Sequence, residues 1–243
     1  MSEADRPAPL RTIAGHAAAW TRLAIEVHIE ADGILHPFPV EPFELYTLAQ
    51  PEKTIDAAAL LREPVIEDPP YWALVWTGAR ALAAIVSNLQ LPPAARVLDL
   101  GCGLGLAGLA AARRGAAVTF GDYLDAPLEF VRATLERTHA PGCEVRRIDF
   151  TRDDDDRCYD LILAADIVYD PAHYAALAAF LDRHLEPTRT ILLTESLRAD
   201  ARIFLEGMSE RGFVDEKAAL WVTEDGRRER TWLHGLKRAP RSS

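Results

Sequence analysis

The 243-residue sequence predicts one α/β core, built on a mostly parallel sheet with helices on both faces, behind an N-terminal accessory segment. Three observations lead there. From near residue 66 onward, helix-like and strand-like patterns alternate across short connections, as a sheet covered on both sides requires. The segment Val97-Leu98-Asp99-Leu100-Gly101-Cys102-Gly103-Leu104-Gly105 runs a buried strand straight into a glycine-rich turn and a helix. Near the end, Asp225-Gly226, a dipeptide that favours a tight hairpin turn, separates the two last strand patterns.

Taken in order, residues 1 to about 18 lack clear periodicity and are expected to form a loose arm. In residues 21–35, Leu23, Ile25, Val27 and Ile29 alternate with Ala24, Glu26, His28 and Glu30, the period of a half-buried strand in an accessory region. Proline-punctuated sequence from His36 to Pro70 surrounds one short helical candidate near Thr54 to Arg62. The boundary is therefore expected near residue 66, with 1–66 the arm and accessory segment and 67–243 the main domain. Strands are predicted at 96–100, 116–121, 143–148, 159–165 and 189–195. Helices are predicted near 105–114, closed by Gly115, and near 125–139, 170–185 and 199–211. Strands at about 214–223 and 228–236 complete a seven-stranded sheet.

Composition narrows the function classes. With 49% hydrophobic and 26% charged residues, the chain reads as an ordinary globular protein. Its longest apolar stretches, such as Leu104 to Ala112, fall well short of the roughly 20 residues a bilayer span needs, so a cytoplasmic location without membrane insertion is expected. Cys102, Cys143 and Cys158 have no CxxC spacing, and the seven histidines show no HExxH pattern, so neither a disulfide framework nor a metal site is expected. A net charge of −10 disfavours nucleic acid as a partner, because affinity for a polyanion comes from clustered lysine and arginine. The acidic run Asp153 to Asp156 reads as a solvated loop.

The glycine turn carries the chemistry. Its glycines allow a tight backbone and close approach to a ligand, and the helix start offers free N–H groups. A dinucleotide fingerprint GxGxxG opening at Gly101 needs glycine at position 106, which is Leu106. The actual pattern is DxGxGxG, which resembles the S-adenosylmethionine loop of the Rossmann-like class I methyltransferases. That resemblance implies that Gly101, Gly103 and Gly105 lie under the methionine part of the cofactor, with Asp99 orienting the loop. The second strand ends in Asp122, where a carboxylate can accept hydrogen bonds from both ribose hydroxyls. Asp125 is the competitor, with an alternative role as N-cap of the next helix. Tyr123 is counted with Asp122, and Asp149 with Phe150 falls where class I enzymes contact adenine.

The fourth strand runs into Ala164-Ala165-Asp166-Ile167-Val168-Tyr169, and Asp166 and Tyr169 match the D-x-x-Y motif of the seven-β-strand protein lysine methyltransferases. Pro70-Tyr71-Trp72-Ala73-Leu74-Val75-Trp76, followed by Gly78 and Ala79, is similar to the helix opening before the cofactor loop in that family, nearest to the branch that modifies the electron transfer flavoprotein β-subunit. The resemblance implies that Asp166 and Tyr169 are the catalytic pair, that Ala165 and Trp76 bound the cofactor pocket, and that the partner is a protein bearing a target lysine. Trp76 reads equally as a core aromatic, and Asp166 alternatively as a cap on the next helix with Tyr169 packed beneath. A small-molecule amine methyltransferase uses the same fold and cofactor site, and a non-catalytic cofactor-binding protein is the reading from another class. Asp68-Pro69-Pro70-Tyr71 copies the DPPY motif of amino methyltransferases acting on bases, but only 25 residues separate it from Val97, room for one helix, so it reads as a turn opening that helix.

Overall fold

The computed structural model describes residues 10–55, 70–153, 156–196 and 201–240. The predicted helical candidate at 54–62 and the boundary near residue 66 fall largely outside them, as do parts of the acidic run and of the DPPY segment.

The main sheet has nine strands. Its parallel centre is made of β6 (Arg96–Leu100), β7 (Ala117–Asp122), β8 (Cys143–Arg147), β9 (Tyr159–Ala165) and β10 (Leu185–Glu195). The antiparallel pair β11 (Phe213–Glu224) and β12 (Arg227–Arg238) joins through β12 to β10, and β3 (Glu26–Ala31) with β4 (Ile34–Phe38) adds to the outer side of β11. The order is β4-β3-β11-β12-β10-β9-β6-β7-β8, so seven strands follow the predicted plan and two come from the accessory segment.

Alternation within the parallel strands builds two cores. Val97 of β6 and Leu161 and Leu163 of β9 face one side, where α1 (Thr77–Ser87), α2 (Leu106–Arg113) and α3 (Asp125–Thr138) pack. Leu98, Leu100, Ile162 and Ala164 face the other, beneath α4 (Tyr174–His184) and α5 (Arg202–Glu210). Both faces are dry, which is why these strands read as continuous apolar runs.

The N-terminal segment departs from expectation in two ways. Residues 10–18 are no loose arm: they supply β1 (Arg11–Ile13) and the start of β2 (His16–Leu23), which with β5 (Phe43–Leu48) form a separate three-stranded sheet. Residues 21–35 are not one strand either. The chain leaves β2 at Leu23 and enters β3 at Glu26, moving from the small sheet to the main one. The cause is turn chemistry: Ala14-Gly15 and Asp32-Gly33 both have positive φ (50° and 79°, 52° and 73°), the conformation that closes two-residue hairpins. Asp225-Gly226, at 49° and 73°, does the same between β11 and β12.

The small sheet rests on α3, where the backbone N–H of Tyr46 donates to Thr134 Oγ1 at 3.0 Å and the Arg137 guanidinium lies 4.4 Å from the Trp20 ring. Among the described residues, the predicted helix near 170–185 is a 3₁₀ turn at Pro171–His173 followed by α4. Asp125 is the first residue of α3 rather than its N-cap, which is Leu124.

One glycine shows how tightly α2 is seated. A Cβ on Gly108 would lie 2.3 Å from Phe120 Cε1 and 2.8 Å from Asp99 Oδ2. Alanine is the better helix former by about 1 kcal/mol, yet here the helix must touch β6 and β7. Gly108→Ala is therefore expected to destabilise the fold by about 1–3 kcal/mol, the usual cost of overpacking. A lowered urea midpoint with unchanged slope is the expected result; a raised midpoint would show that propensity outweighs the contact.

Candidate active site

The glycine loop is shaped by two buried carboxylates beneath it. Asp99, at 2% exposure, accepts a hydrogen bond at 2.8 Å from the Gly108 N–H in the first turn of α2. Asp122, at the carboxyl end of β7, accepts from Gly103 N–H at 3.0 Å through one oxygen and from Leu124 N–H at 3.1 Å through the other. One aspartate thus fixes the helix that follows the loop, and the other fixes both the loop and the start of α3. Gly101, Gly103 and Gly105 all have positive φ, from 51° to 80°. A Cβ on Gly101 would lie 2.7 Å from Ile167 Cγ2, so a side chain there is barred by sterics as well as by backbone geometry.

A cleft opens above this loop. It is lined by Gly101, Gly103, Asp122, Tyr123, Phe150, Ala165, Asp166, Tyr169 and Trp76, all predicted from the sequence. Three other predicted residues stand outside its lining. Asp99 and Gly105 face the core side: a Cβ on Gly105 would lie 3.0 Å from Val131 Cγ2 and 3.1 Å from the Phe120 ring, so they shape the site from beneath. Asp149 closes a local turn, accepting from the Thr151 amide at 3.0 Å and hydroxyl at 2.6 Å, with Arg152 at 3.5 Å. Burial opposes its ionisation, but Thr151 and Arg152 outweigh this and hold its carboxyl below the usual range. Phe150 alone of that pair reaches the cleft.

The wall of the cleft that follows β9 centres on Asp166, which has φ 54°, a left-handed conformation that aspartate tolerates better than most residues. Its N–H donates to Thr194 O at 3.0 Å, and its Oδ2 accepts from Gly78 N–H at 2.8 Å. Thr194 Oγ1 in turn donates to Gly78 O at 3.0 Å. A Cβ on Gly78 would sit 2.4 Å from Asp166 Oδ2, so glycine is what lets the carboxylate reach the N-terminus of α1. Asp166 therefore does not cap the helix that follows it; Asp170 does, accepting from Ala172 N–H at 2.9 Å. The ring of Tyr169, 38% exposed, meets Tyr71 edge-on at 5.2 Å, and Tyr71 meets Trp76 at 6.0 Å. Trp76 Nε1 donates to Tyr71 O at 2.6 Å, which locks the two together.

Sequence reasoning missed Tyr71, Gly78, Ile167 and His173 as parts of the site. Of these, only the glycine in the first turn of a predicted helix carried a signal: such a residue costs helix stability and implies a close neighbour.

The sheet order, the glycine loop under β6 and the carboxylate ending β7 define a class I S-adenosylmethionine-dependent methyltransferase fold. Solved structures agree at the level of fold. The N-methyltransferase NodS from Bradyrhizobium japonicum, in complex with S-adenosyl-L-homocysteine, superposes with TM-score 0.56 at 14% identity, over 75% of this chain and 98% of that one. The precorrin-6y C5,15-methyltransferase from Geobacter metallireducens gives 0.56 at 16% identity, over 66% and 89%. The lysine methyltransferase family model matches residues 74–211, and this chain belongs to that family. The electron transfer flavoprotein beta subunit lysine methyltransferase of Danio rerio is 32% identical over 42% of this chain and 40% of its own length. Protein N-lysine methyltransferase METTL21A of the same species is 35% identical over 59% and 70%. The chain thus spans about half or less of the flavoprotein-directed relatives, 40% in Danio rerio and 51% in Xenopus laevis.

The buried carboxylates give the site a pH signature. Burial pushes Asp99 up to about 7 and Asp122 up to about 6, with the backbone amides they accept from pulling the other way. An unfolded aspartate titrates near 3.9. Between that pH and about 7 the native state holds more protons than the unfolded chain, so this contribution to stability is present at low pH and is lost as pH rises through the window. Asp99→Asn removes the larger part. Its urea midpoint is expected to fall less than the parent's on going from mildly acidic to mildly alkaline buffer; parallel curves would place the pH dependence elsewhere.

Proposed function

We propose that this chain transfers a methyl group from S-adenosylmethionine to a lysine side chain of a protein substrate, in the cytoplasm. The observation that carries the reading is the placement of the Asp166 carboxylate, pinned to the start of α1 and flanked by Tyr169, Tyr71 and Trp76, directly beside the glycine cradle. The cradle fits the cofactor: Gly101 and Gly103 leave backbone where side chains would intrude, and Asp122 presents a carboxylate to the cleft. Gly101, Gly103 and Tyr123 would hold it along the loop, with Asp122 at the ribose and Phe150 and Ala165 against the base and the methyl-bearing end. Trp76 closes that side. S-adenosylmethionine, when bound, supplies a methyl already activated on a sulfonium, so no covalent enzyme intermediate is needed.

What remains for the chain is to deliver a neutral amine in line and to exclude water. Free lysine has a pKa of about 10.4, leaving on the order of one amine in a thousand unprotonated at neutral pH. The Asp166 charge attracts the incoming ammonium, and desolvation between the aromatic walls favours release of its proton to water before transfer. Asp166 Oδ2 is held by Gly78, so the group is fixed before the acceptor arrives and need not reorganise.

Incubating the protein with methyl-labelled S-adenosylmethionine and a lysate of the source organism is expected to label a protein band; label confined to small molecules would overturn the protein-substrate reading. Asp122→Ala is expected to weaken calorimetric binding of the cofactor by about tenfold to a hundredfold, through loss of a charged acceptor and of the Gly103 anchor. Asp166→Asn is a clean test of charge, because asparagine also tolerates the left-handed backbone and keeps an acceptor for Gly78. Single-turnover transfer should drop by about a hundredfold or more with cofactor affinity within a few fold. Full activity would remove Asp166 from the chemistry, and joint loss of binding would make it a cofactor or structural residue.

A further inference from the structure

The hairpin β11–β12 outruns the strand it pairs with. The last pairing with β10 is Glu195 opposite Trp232, so Arg227 to Thr231 and their partners on β11 stand beyond the carboxyl edge of the parallel strands, the edge that holds the cleft. Directly opposed residues of an antiparallel pair share a face. Leu220, Val222 and Thr231 lie on the face covered by α1, and they are fully buried. The other face carries Trp221 opposite Arg230, Ala219 opposite Trp232 and Thr223 opposite Arg228, with Lys217 further along β11. Toward the base of the hairpin, α5 covers this face through Phe204 and Met208, which pack with Leu236. Toward the tip, the two indoles are only half-buried and the cations are exposed.

On that upper part cations and indoles alternate. Lys217 Nζ lies 4.0 Å from the Trp232 ring, and the Arg230 guanidinium lies 4.9 Å from Trp232 and 5.8 Å from Trp221. In a chain where acids outnumber basic residues 37 to 27, most cations should find a carboxylate. Among the described residues, Lys217, Arg228 and Arg230 form no ion pair, whereas Arg80 pairs with Glu224 and Lys237 with Glu216 on the opposite face of the same hairpin. The carboxylates at the β3 margin are already engaged, Glu30 by Trp221 Nε1 at 2.8 Å and Glu26 by the Thr223 hydroxyl at 3.1 Å. Strands lie about 4.8 Å apart, so Leu233, two strands from Ala165 through Thr194, puts the near edge of this platform, at Trp232, on the order of 10 Å from Asp166. The connection bearing Tyr169 leads to α4, on the same side of the sheet.

We propose that this face docks an acidic segment of the protein acceptor while the target lysine enters the cleft, an inference that rests on the lysine methyltransferase reading. Indoles give rigid contact area, and the cations stacked on them meet carboxylates at little cost in side-chain ordering. The segment would lie a few residues from the lysine, since an extended chain covers about 3.4 Å per residue.

The test uses two short synthetic peptides with one lysine, one carrying a flanking run of Asp and Glu, the other the same run as Asn and Gln. Fluorescein-labelled versions are titrated with the protein at low salt, and unlabelled ones are assayed for transfer from S-adenosylmethionine. The acidic peptide is expected to bind about tenfold tighter and to lose that advantage at high ionic strength. The triple variant Lys217→Ala, Arg228→Ala, Arg230→Ala should bind both peptides alike, with cofactor affinity unchanged as the control for folding, and should raise KM for the acidic peptide about tenfold at constant kcat. Equal binding of the two peptides to the parent, an undiminished preference in the variant, or displacement of the acidic peptide by single-stranded RNA at lower concentration would each overturn the proposal. Methylation of both peptides alike would overturn docking while leaving the lysine reading intact. Variant-sensitive binding of the acidic peptide without transfer to either would support the docking face and count against the lysine reading.

Discussion

The hydrogen bond from Gly78 N–H to Asp166 Oδ2 is the constraint on which the site depends. It joins two parts of the chain 88 residues apart, the first turn of a helix on one face and the loop that ends the fourth parallel strand. A helix N-terminus carries partial positive charge and unsatisfied donors, so a carboxylate there is stabilised as an anion. Thr194 closes the arrangement by bonding to both partners, taking the Asp166 N–H on its carbonyl and giving its hydroxyl proton to Gly78 O. The acceptor side of the cleft is therefore held by three strand-end and helix-end groups that must all be in register, and the aromatic pair Tyr71 and Trp76 is carried along because it immediately precedes the same helix.

The cofactor side works on a different principle. Asp99 and Asp122 are carboxylates kept in dry surroundings and compensated by backbone N–H groups rather than by cations. Such groups are costly to bury, and their pKa values rise as a result. What they provide is rigidity in a segment of glycines that has little of its own. Cys102, between them, has its thiol pushed well up by burial first and by the two carboxylates next.

Much of this was legible in the sequence because it rests on local patterns. The inner parallel strands β6, β7 and β9 are mostly buried on both faces and joined by short connections, so their apolar runs located them within a few residues, whereas β8 at the sheet edge carries Glu144, Arg146 and Arg147; the glycine loop and the D-x-x-Y segment were visible as local patterns. What could not be read depended on partners far along the chain. Asp149 and Phe150 are adjacent, and nothing local says that one turns back to Thr151 while the other reaches the cleft. Gly78, a glycine in the first turn of a helix, implies a close neighbour but does not say which, and that neighbour, Asp166, lies 88 residues away. The accessory segment was misread where two short turns were overlooked: Asp32-Gly33 has the same backbone as Asp225-Gly226 and was equally readable, but Ala14-Gly15 places an alanine, which lacks aspartate's tolerance of positive φ, at the first turn position, and only the surrounding strands justify it.

The incorporation of β3 and β4 into the main sheet bears on how the protein is made. β3 pairs with β11, and the hydrogen bond between Glu30 and Trp221 spans 191 residues. During synthesis from the N-terminus, the β3–β4 hairpin emerges well before its sheet partner, so it waits with an open strand edge until β11 follows. Pro37 in β4 blunts the outer edge by removing a donor, and Glu26, His28 and Glu30 keep one face polar. Closure of the sheet is then a late, long-range event whose loop entropy is met only when the C-terminal hairpin arrives. The same pairing makes completion of the C-terminal hairpin a checkpoint: a nascent chain stalled before residue 213 has its cofactor loop but lacks the strand that anchors its own N-terminal segment.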